Sequence, residues 1–106
     1  MKNNDMIHTT INFIQCFYFR LPISAFGFDG SMIMEISVEY GLSKDKTNYL
    51  GNVWVRADQA SVRHFLMPIT VGVETKDVAQ GLFEALQNST EFSDAMVNYI
   101  NHVMNH

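Results

Sequence analysis

Residues 32–40 read Met-Ile-Met-Glu-Ile-Ser-Val-Glu-Tyr, and this stretch decides the fold. Met32, Met34, Ile36, Val38 and Tyr40 alternate with Glu35, Ser37 and Glu39, and Ile33 alone breaks the polar side. A period of two puts one face of a strand against a core and the other toward solvent or a partner. Downstream, Gly41 to Asn48 (GLSKDKTN) is a polar turn, and Tyr49 to Arg56 is a second strand centred on Val53-Trp54-Val55. A third run, Ser61 to Val73, sets Phe65, Met67, Ile69, Val71 and Val73 on one parity. Pro68 has no N–H to give a ladder, so this strand is expected at a sheet edge or bulged there. If Phe65 and Met67 face the core, His64 faces out with Val62 and Leu66, and Arg63 lies on the face opposite to His64. Trp54, between two valines, reads as a core or sheet-packing residue rather than a binding hot spot.

Two helices follow. Val78, Ala79, Leu82, Phe83, Ala85 and Leu86 make the apolar face of the first, with Thr75 as its expected cap. Gly81 in its middle should cost roughly 1 kcal/mol relative to Ala. Thr90 or Ser93 is expected to cap the second. Its buried stripe is Met96, Val97, Ile100, Val103 and Met104; Asp94, Asn98, Asn101 and Asn105 face out.

Upstream of the decisive strand, residues 6–19 admit two readings. Their β-branched and aromatic content favours a strand. The polar positions His8, Asn12 and Gln15 fall at i, i+4, i+7 and favour a helix, with Asp5 as a possible cap and Pro22 as its stop. The phase tips the expectation to a helix. Leu21 to Gly30 reads as a connection. Grouped strands followed by grouped helices predict an α+β fold: one compact domain over residues 1–106, with a small antiparallel sheet of three or more strands. The two C-terminal helices, and a possible N-terminal one, pack on it.

With 106 residues, 47% of them hydrophobic, the chain can bury a real core. No apolar run reaches the roughly 18 residues that span a bilayer, and the start of the chain lacks the apolar segment of a signal peptide. Cys16 is the only cysteine. A free thiol among aromatics fits a reducing cytoplasm and a packing role. The formal charge is −4. Residues 1–76 hold seven acids and seven bases, so the excess lies in Asp77, Glu84, Glu91 and Asp94, after which no Lys or Arg occurs. This balance disfavours direct nucleic-acid binding, which wants a basic face, and suits a basic protein partner.

No motif carries catalysis. His102 and His106 have the i, i+4 spacing of a metal pair, but no third ligand is evident, and imidazoles near a helix C-terminus suit its dipole. Among bases, Cys16 has only Arg20 nearby to lower its pKa. Glu35 and Glu39 share a strand face roughly 13 Å apart, wider than the roughly 5–9.5 Å of a glycosidase pair. An enzyme would need a pocket gathering Arg56, Arg63, His64 and a carboxylate. The expectation is therefore a non-enzyme with no cofactor or metal.

In general character the chain resembles the small immunity proteins that bacteria pair with toxin domains, including those of contact-dependent growth inhibition. The likeness lies in a short acidic chain, one α+β domain and no active-site motif. It implies binding to a cognate toxin, often a nuclease, and occlusion of its active site. The residues expected at such an interface are Asp77, Glu84, Glu91 and Asp94, with Glu35 and Glu39 next. The alternative reading is a homo-oligomeric interaction or assembly subunit, of the kind phages encode. The sequence leaves the oligomeric state open.

Overall fold

The computed structural model describes residues 15–58 and 60–105. Four antiparallel strands form a meander in the order β1 (Gln15–Pro22), β2 (Ile33–Leu42), β3 (Asn48–Ala57) and β4 (His64–Gly72). Among the described residues two α-helices, α1 (Val78–Gln87) and α2 (Thr90–Met104), follow the sheet in an α+β architecture.

The alternation in β2 works as expected. Met34, Ile36, Val38 and Tyr40 are buried with Val53, Val55 and Ala57 of β3 and Met67 of β4. From the helices, Leu82, Leu86, Phe92, Met96 and Ile100 close over them. Each fully buried large aliphatic side chain contributes roughly 1.5–3 kcal/mol, so this single layer of side chains holds sheet to helices. Met104, expected in the buried stripe of α2, is 47% exposed. The stripe is carried instead by Phe92, Met96 and Ile100, one step earlier on the helix.

The first strand corrects the helical expectation at residues 15–19. Residues 15–22 are extended and pair with β2 from Gln15↔Tyr40 to Pro22↔Ile33, so Leu21 and Pro22, expected in a connection, end the strand. Phe17, Phe19 and Leu21 pack on the core, while Cys16, Tyr18 and Arg20 point away from it. Pairing with β2 satisfies the backbone, and the bulky side chains suit a pleated surface, so composition outweighs the polar phase. The rest of that segment, including the possible N-terminal helix, lies outside the described residues. Past β1, a single turn of 3-10 helix (Ile23–Phe26) buries Ile23 and ends at Gly27 in a left-handed conformation, φ 89°.

The helix caps also differ from expectation. Asp77 caps α1 by accepting the Gln80 N–H at 3.1 Å. Ser89 caps α2 by accepting the Phe92 N–H at 3.0 Å. Each places the cap directly before the first helical residue, where the side chain reaches the third residue's N–H.

β4 is an edge strand, as Pro68 required, and it is also bulged two residues earlier. Val53 pairs with Met67 but Trp54 pairs with Phe65, so Leu66 has no partner across the ladder. One extra residue reverses the parity of everything before it. Phe65 therefore joins Trp54 on the face away from the helices. His64, expected there, lies on the helix side against Tyr99, with ring centroids 5.3 Å apart.

Candidate functional site

The helices cover one face of the sheet, and among the described residues no element covers the other, called the open face below. Cross-strand register arranges that open face in transverse rows. Arg20, Glu35 and Arg56 form one row, Tyr18, Ser37, Trp54 and Phe65 the next, and Cys16, Glu39, Asn52 and Pro68 the third. Arg63, just before β4, folds onto the middle row. All three arginines of the chain, and its only tryptophan, gather here.

Glu35 anchors the first row. It accepts from Arg56 Nη2 at 2.8 Å and lies 3.6 Å from Arg20 Nη2. Glu39, from the third row, reaches across to the middle one, accepting from Trp54 Nε1 at 2.8 Å and lying 3.7 Å from Arg63 Nη2. The Arg63 guanidinium carbon sits 4.0 Å from the Trp54 ring centroid, and Phe65 meets the same indole edge-on. The carboxylates are recessed: the side chains of Glu35 and Glu39 are 25% and 18% exposed, against 69%, 43% and 48% for Arg20, Arg56 and Arg63. What an approaching molecule meets first is guanidinium and aromatic surface, including Tyr18 and Phe65. In the third row the buried Asn52 Oδ1 has no hydrogen-bond partner.

A cleft of about 340 Å³ runs across the first two rows, lined by Glu35, Ser37, Arg56, Arg63 and Ser61. A neighbouring one is lined by Arg20, Ile33, Glu35, Arg56, Ala57 and Asp58. The gathering of Arg56, Arg63 and a carboxylate named above thus occurs, but without His64, which the bulge sends to the opposite side. His64 instead lines an open groove with Tyr99 and His102. Among the described residues no group of three His, Cys, Asp or Glu side chains could hold a metal ion. His106, the other half of the expected metal pair, lies outside them. No described helix is long and apolar enough to cross a membrane.

The six acids expected at an interface fall into two sets on opposite sides of the sheet. Asp77, Glu84, Glu91 and Asp94 are exposed on the helix layer. Asp77 is engaged as the α1 cap, Glu84 accepts from Gln80 Nε2 at 3.0 Å, and Glu91 lies in the first turn of α2. Glu35 and Glu39 lie on the open sheet face, held by the arginines. Asp77 also borders β1: with burial as the larger cause, its charge pushes the Tyr40 phenol above its ordinary pKa. Tyr40 donates to Gln15 Oε1 at 2.6 Å.

Sequence reasoning missed Tyr18, Ser37, Ser61 and Phe65 as parts of a site. The outward parity of Ser37 was already given by the β2 alternation, and that of Tyr18 was available once β1 was read as a strand. Phe65 and Arg63 depended on the bulge, for which residues 61–67 carry no glycine or other marker. Comparison of the chain with family models, with curated proteins and with solved structures finds no match.

Proposed function

We propose that this chain is a protein inhibitor: an immunity protein of a bacterial cytoplasm that binds a cognate basic, nuclease-type toxin domain and blocks its active site. The observation that carries this reading is the helix layer. Asp77, Glu84, Glu91 and Asp94 are all exposed there, and no Lys or Arg follows Lys76. A nuclease collects positive charge to hold phosphate, so an acidic helix surface complements it and speeds encounter. The asparagines on α2, Asn98, Asn101 and Asn105, are exposed beside these acids and supply donors and acceptors for a wet interface.

The decisive experiment is co-expression with the product of the adjacent gene, followed by purification at low salt and a nuclease assay. A stoichiometric complex with suppressed nuclease activity is expected. Failure to bind any neighbour-encoded toxin at low salt overturns the reading.

A second reading, a homo-oligomeric assembly subunit, is favoured by the apolar surface left on and beside the open sheet face. Tyr18 and Phe65 are 68% and 50% exposed. Mass measured by size-exclusion chromatography with light scattering at low concentration separates the two: a stable oligomer favours assembly, a monomer favours the inhibitor.

A further inference from the structure

We propose that the open sheet face is a binding site for a small aromatic anion, whose carboxylate or phosphate monoester is held between Arg56 and Arg63 and whose ring lies over Ser37, between Tyr18 and Trp54. The site lies across the sheet from the acidic helix layer, and the proposal does not depend on the inhibitor reading.

The cleft's lining gives the charge preference. Arg56 and Arg63 bring two guanidiniums, Ser37 and Ser61 two hydroxyls, and Glu35 one carboxylate. Counting also Arg20 and Glu39, which pair with Glu35 and Arg63, three guanidiniums meet two carboxylates and one positive charge is left over. Each guanidinium carries five N–H donors in a planar fork, and one carboxylate contact leaves most of them unused. Arg56 gives one hydrogen bond to Glu35, and Arg63 approaches Glu39 only at 3.7 Å. Both forks are nevertheless held in place, Arg56 by Glu35 and Arg63 by stacking on Trp54. A pre-oriented pair of forks with hydroxyls between them matches the oxygens of a carboxylate or phosphate. A cation would be repelled by both arginines, and Glu35 already has Arg20 and Arg56 as counter-ions.

The transverse row gives the shape preference. Tyr18, Ser37 and Trp54 lie side by side on β1, β2 and β3. A ring seated over the small Ser37 side chain would have Tyr18 on one side and, on the other, the Trp54 indole, which leans toward β2 to reach Glu39; this row is the proposed trough. The two aromatics stand on strands two spacings apart, about 10 Å between backbones, and stacking on one aromatic face takes about 3.5 Å. A ring over Ser37 therefore has an aromatic side chain to stack on, with the arginine cleft beside it.

The size preference follows from overall charge. A net −4, with Asp58 on the adjoining cleft and Glu39 behind Arg63, opposes an extended polyanion, whereas a single anionic group needs only the one charge in excess.

Trp54 is the only tryptophan, so its fluorescence and its indole N–H NMR signal report on this trough alone. The probes are phenyl phosphate and benzoate, with inorganic phosphate and benzyl alcohol as half-ligands. Saturable shifts of the Trp54 indole and Ser37 amide signals are expected with at least one aromatic anion. Saturation by phenyl phosphate alone assigns a phosphate ester, and by benzoate alone a carboxylate. Arg63→Gln and Arg56→Gln should each weaken that binding roughly tenfold or more. Ser37→Leu, which fills the trough at a solvent-facing position without changing charge, should abolish ring binding while the fold's amide spectrum is retained. The proposal is overturned if neither aromatic anion saturates by roughly 10 mM, a concentration above the Kd of a specific small-molecule site. It is equally overturned if benzyl alcohol binds as well as the anions, or if Ser37→Leu binds unchanged.

Discussion

The Arg63 guanidinium carbon sits over Trp54, 4.0 Å from the ring centroid, and both side chains reach the same oxygen of Glu39. The indole N–H makes the shorter contact, 2.8 Å against 3.7 Å, so Glu39 serves Trp54 first and Arg63 second. Glu39→Gln keeps an acceptor for the indole and should cost under about 0.5 kcal/mol. Glu39→Ala strands a part-buried N–H and should cost about 1–2 kcal/mol. Arg63→Ala loses the cation–π contact at a half-exposed site, about 0.5–1 kcal/mol. A double-mutant cycle between Arg63 and Glu39 should give a coupling below about 0.5 kcal/mol, since long, solvated ion pairs contribute little. Urea unfolding followed by circular dichroism measures all four. A coupling above about 1 kcal/mol would show that the ion pair, and not the indole, is the main partner of Glu39.

Gly81 behaves unlike an ordinary helical glycine. Replacement by Ala in mid-helix usually gains about 1 kcal/mol. Here an added Cβ would fall 2.5 Å from Thr75 Cγ2, far inside contact distance. Thr75 is β-branched and has few rotamers to retreat into. Gly81→Ala alone should therefore destabilise, by about 1 kcal/mol or more. The double variant Thr75→Ser/Gly81→Ala, which removes the offending methyl, should exceed wild-type stability. Thermal melts of the two decide it: a single variant that melts higher than wild type sinks the steric account. The residue expected to cap α1 thus turns out to pack against it and to require the glycine.

Much of the fold was legible because β2 alternates strictly: Met34, Ile36, Val38 and Tyr40 against Glu35, Ser37 and Glu39 admit only one inner face. The helices were legible for the same reason, through the recurrence of Leu82, Leu86, Met96 and Ile100. What escaped is local. Gln15 sits in the polar phase of a helix, yet it belongs to an edge strand, because tertiary pairing with Tyr40 overrides local phase. Leu66 is an ordinary strand residue that happens to be the bulge. That single uncounted residue moved Phe65 and His64 to the wrong faces, and so hid the aromatic row that defines the open surface. Trp54 shows the milder version: its outward parity follows from its buried neighbours Val53 and Val55, but the partners that keep it there lie on three different segments.

The β2–β3 turn predicts a small acid sensitivity. Asp45 Oδ1 accepts from Thr47 Oγ1 at 2.7 Å, from Ser43 Oγ at 2.8 Å and from the Thr47 N–H at 3.1 Å. These bonds, the Thr47 hydroxyl first, hold the Asp45 carboxyl below its ordinary 3.8. A depressed folded-state pKa contributes stability that is complete above the unfolded value and is lost as pH falls through the folded one. Asp45 should therefore contribute fully above about pH 4 and progressively less below it. Asp45→Asn should flatten that part of the stability–pH curve and leave the rest unchanged. Because Asp45 is solvent-exposed, the effect is small and best read by NMR titration of its carboxyl. A midpoint at or above the ordinary value would refute the three-bond clamp.

The acidic helix layer yields the prediction that bears most directly on function, provided structural and steering roles are separated. Asp77 does two things: its charge adds to the exposed surface, and its oxygen caps α1 through the Gln80 N–H. Asp77→Ala removes both and should cost about 1 kcal/mol. Asp77→Asn removes only the charge, because Asn caps as well as Asp. Glu91, in the first turn of α2, gains a few tenths of a kcal/mol from the helix dipole, so Glu91→Gln should lower stability slightly. Glu84→Gln and Asp94→Asn, at exposed positions, should leave stability within about 0.5 kcal/mol. The fourfold variant Asp77→Asn, Glu84→Gln, Glu91→Gln, Asp94→Asn should therefore stay folded. Its association with the toxin domain should slow by about tenfold or more at low ionic strength, with a flatter dependence of rate on salt. The dissociation rate should change far less, since exposed charges act mainly on encounter. Stopped-flow association at several salt concentrations measures both slopes, and wild-type and variant should converge as the Debye length falls below about 5 Å at high salt. An unchanged on-rate at low salt would place the interface elsewhere, leaving the open sheet face as the remaining contact surface.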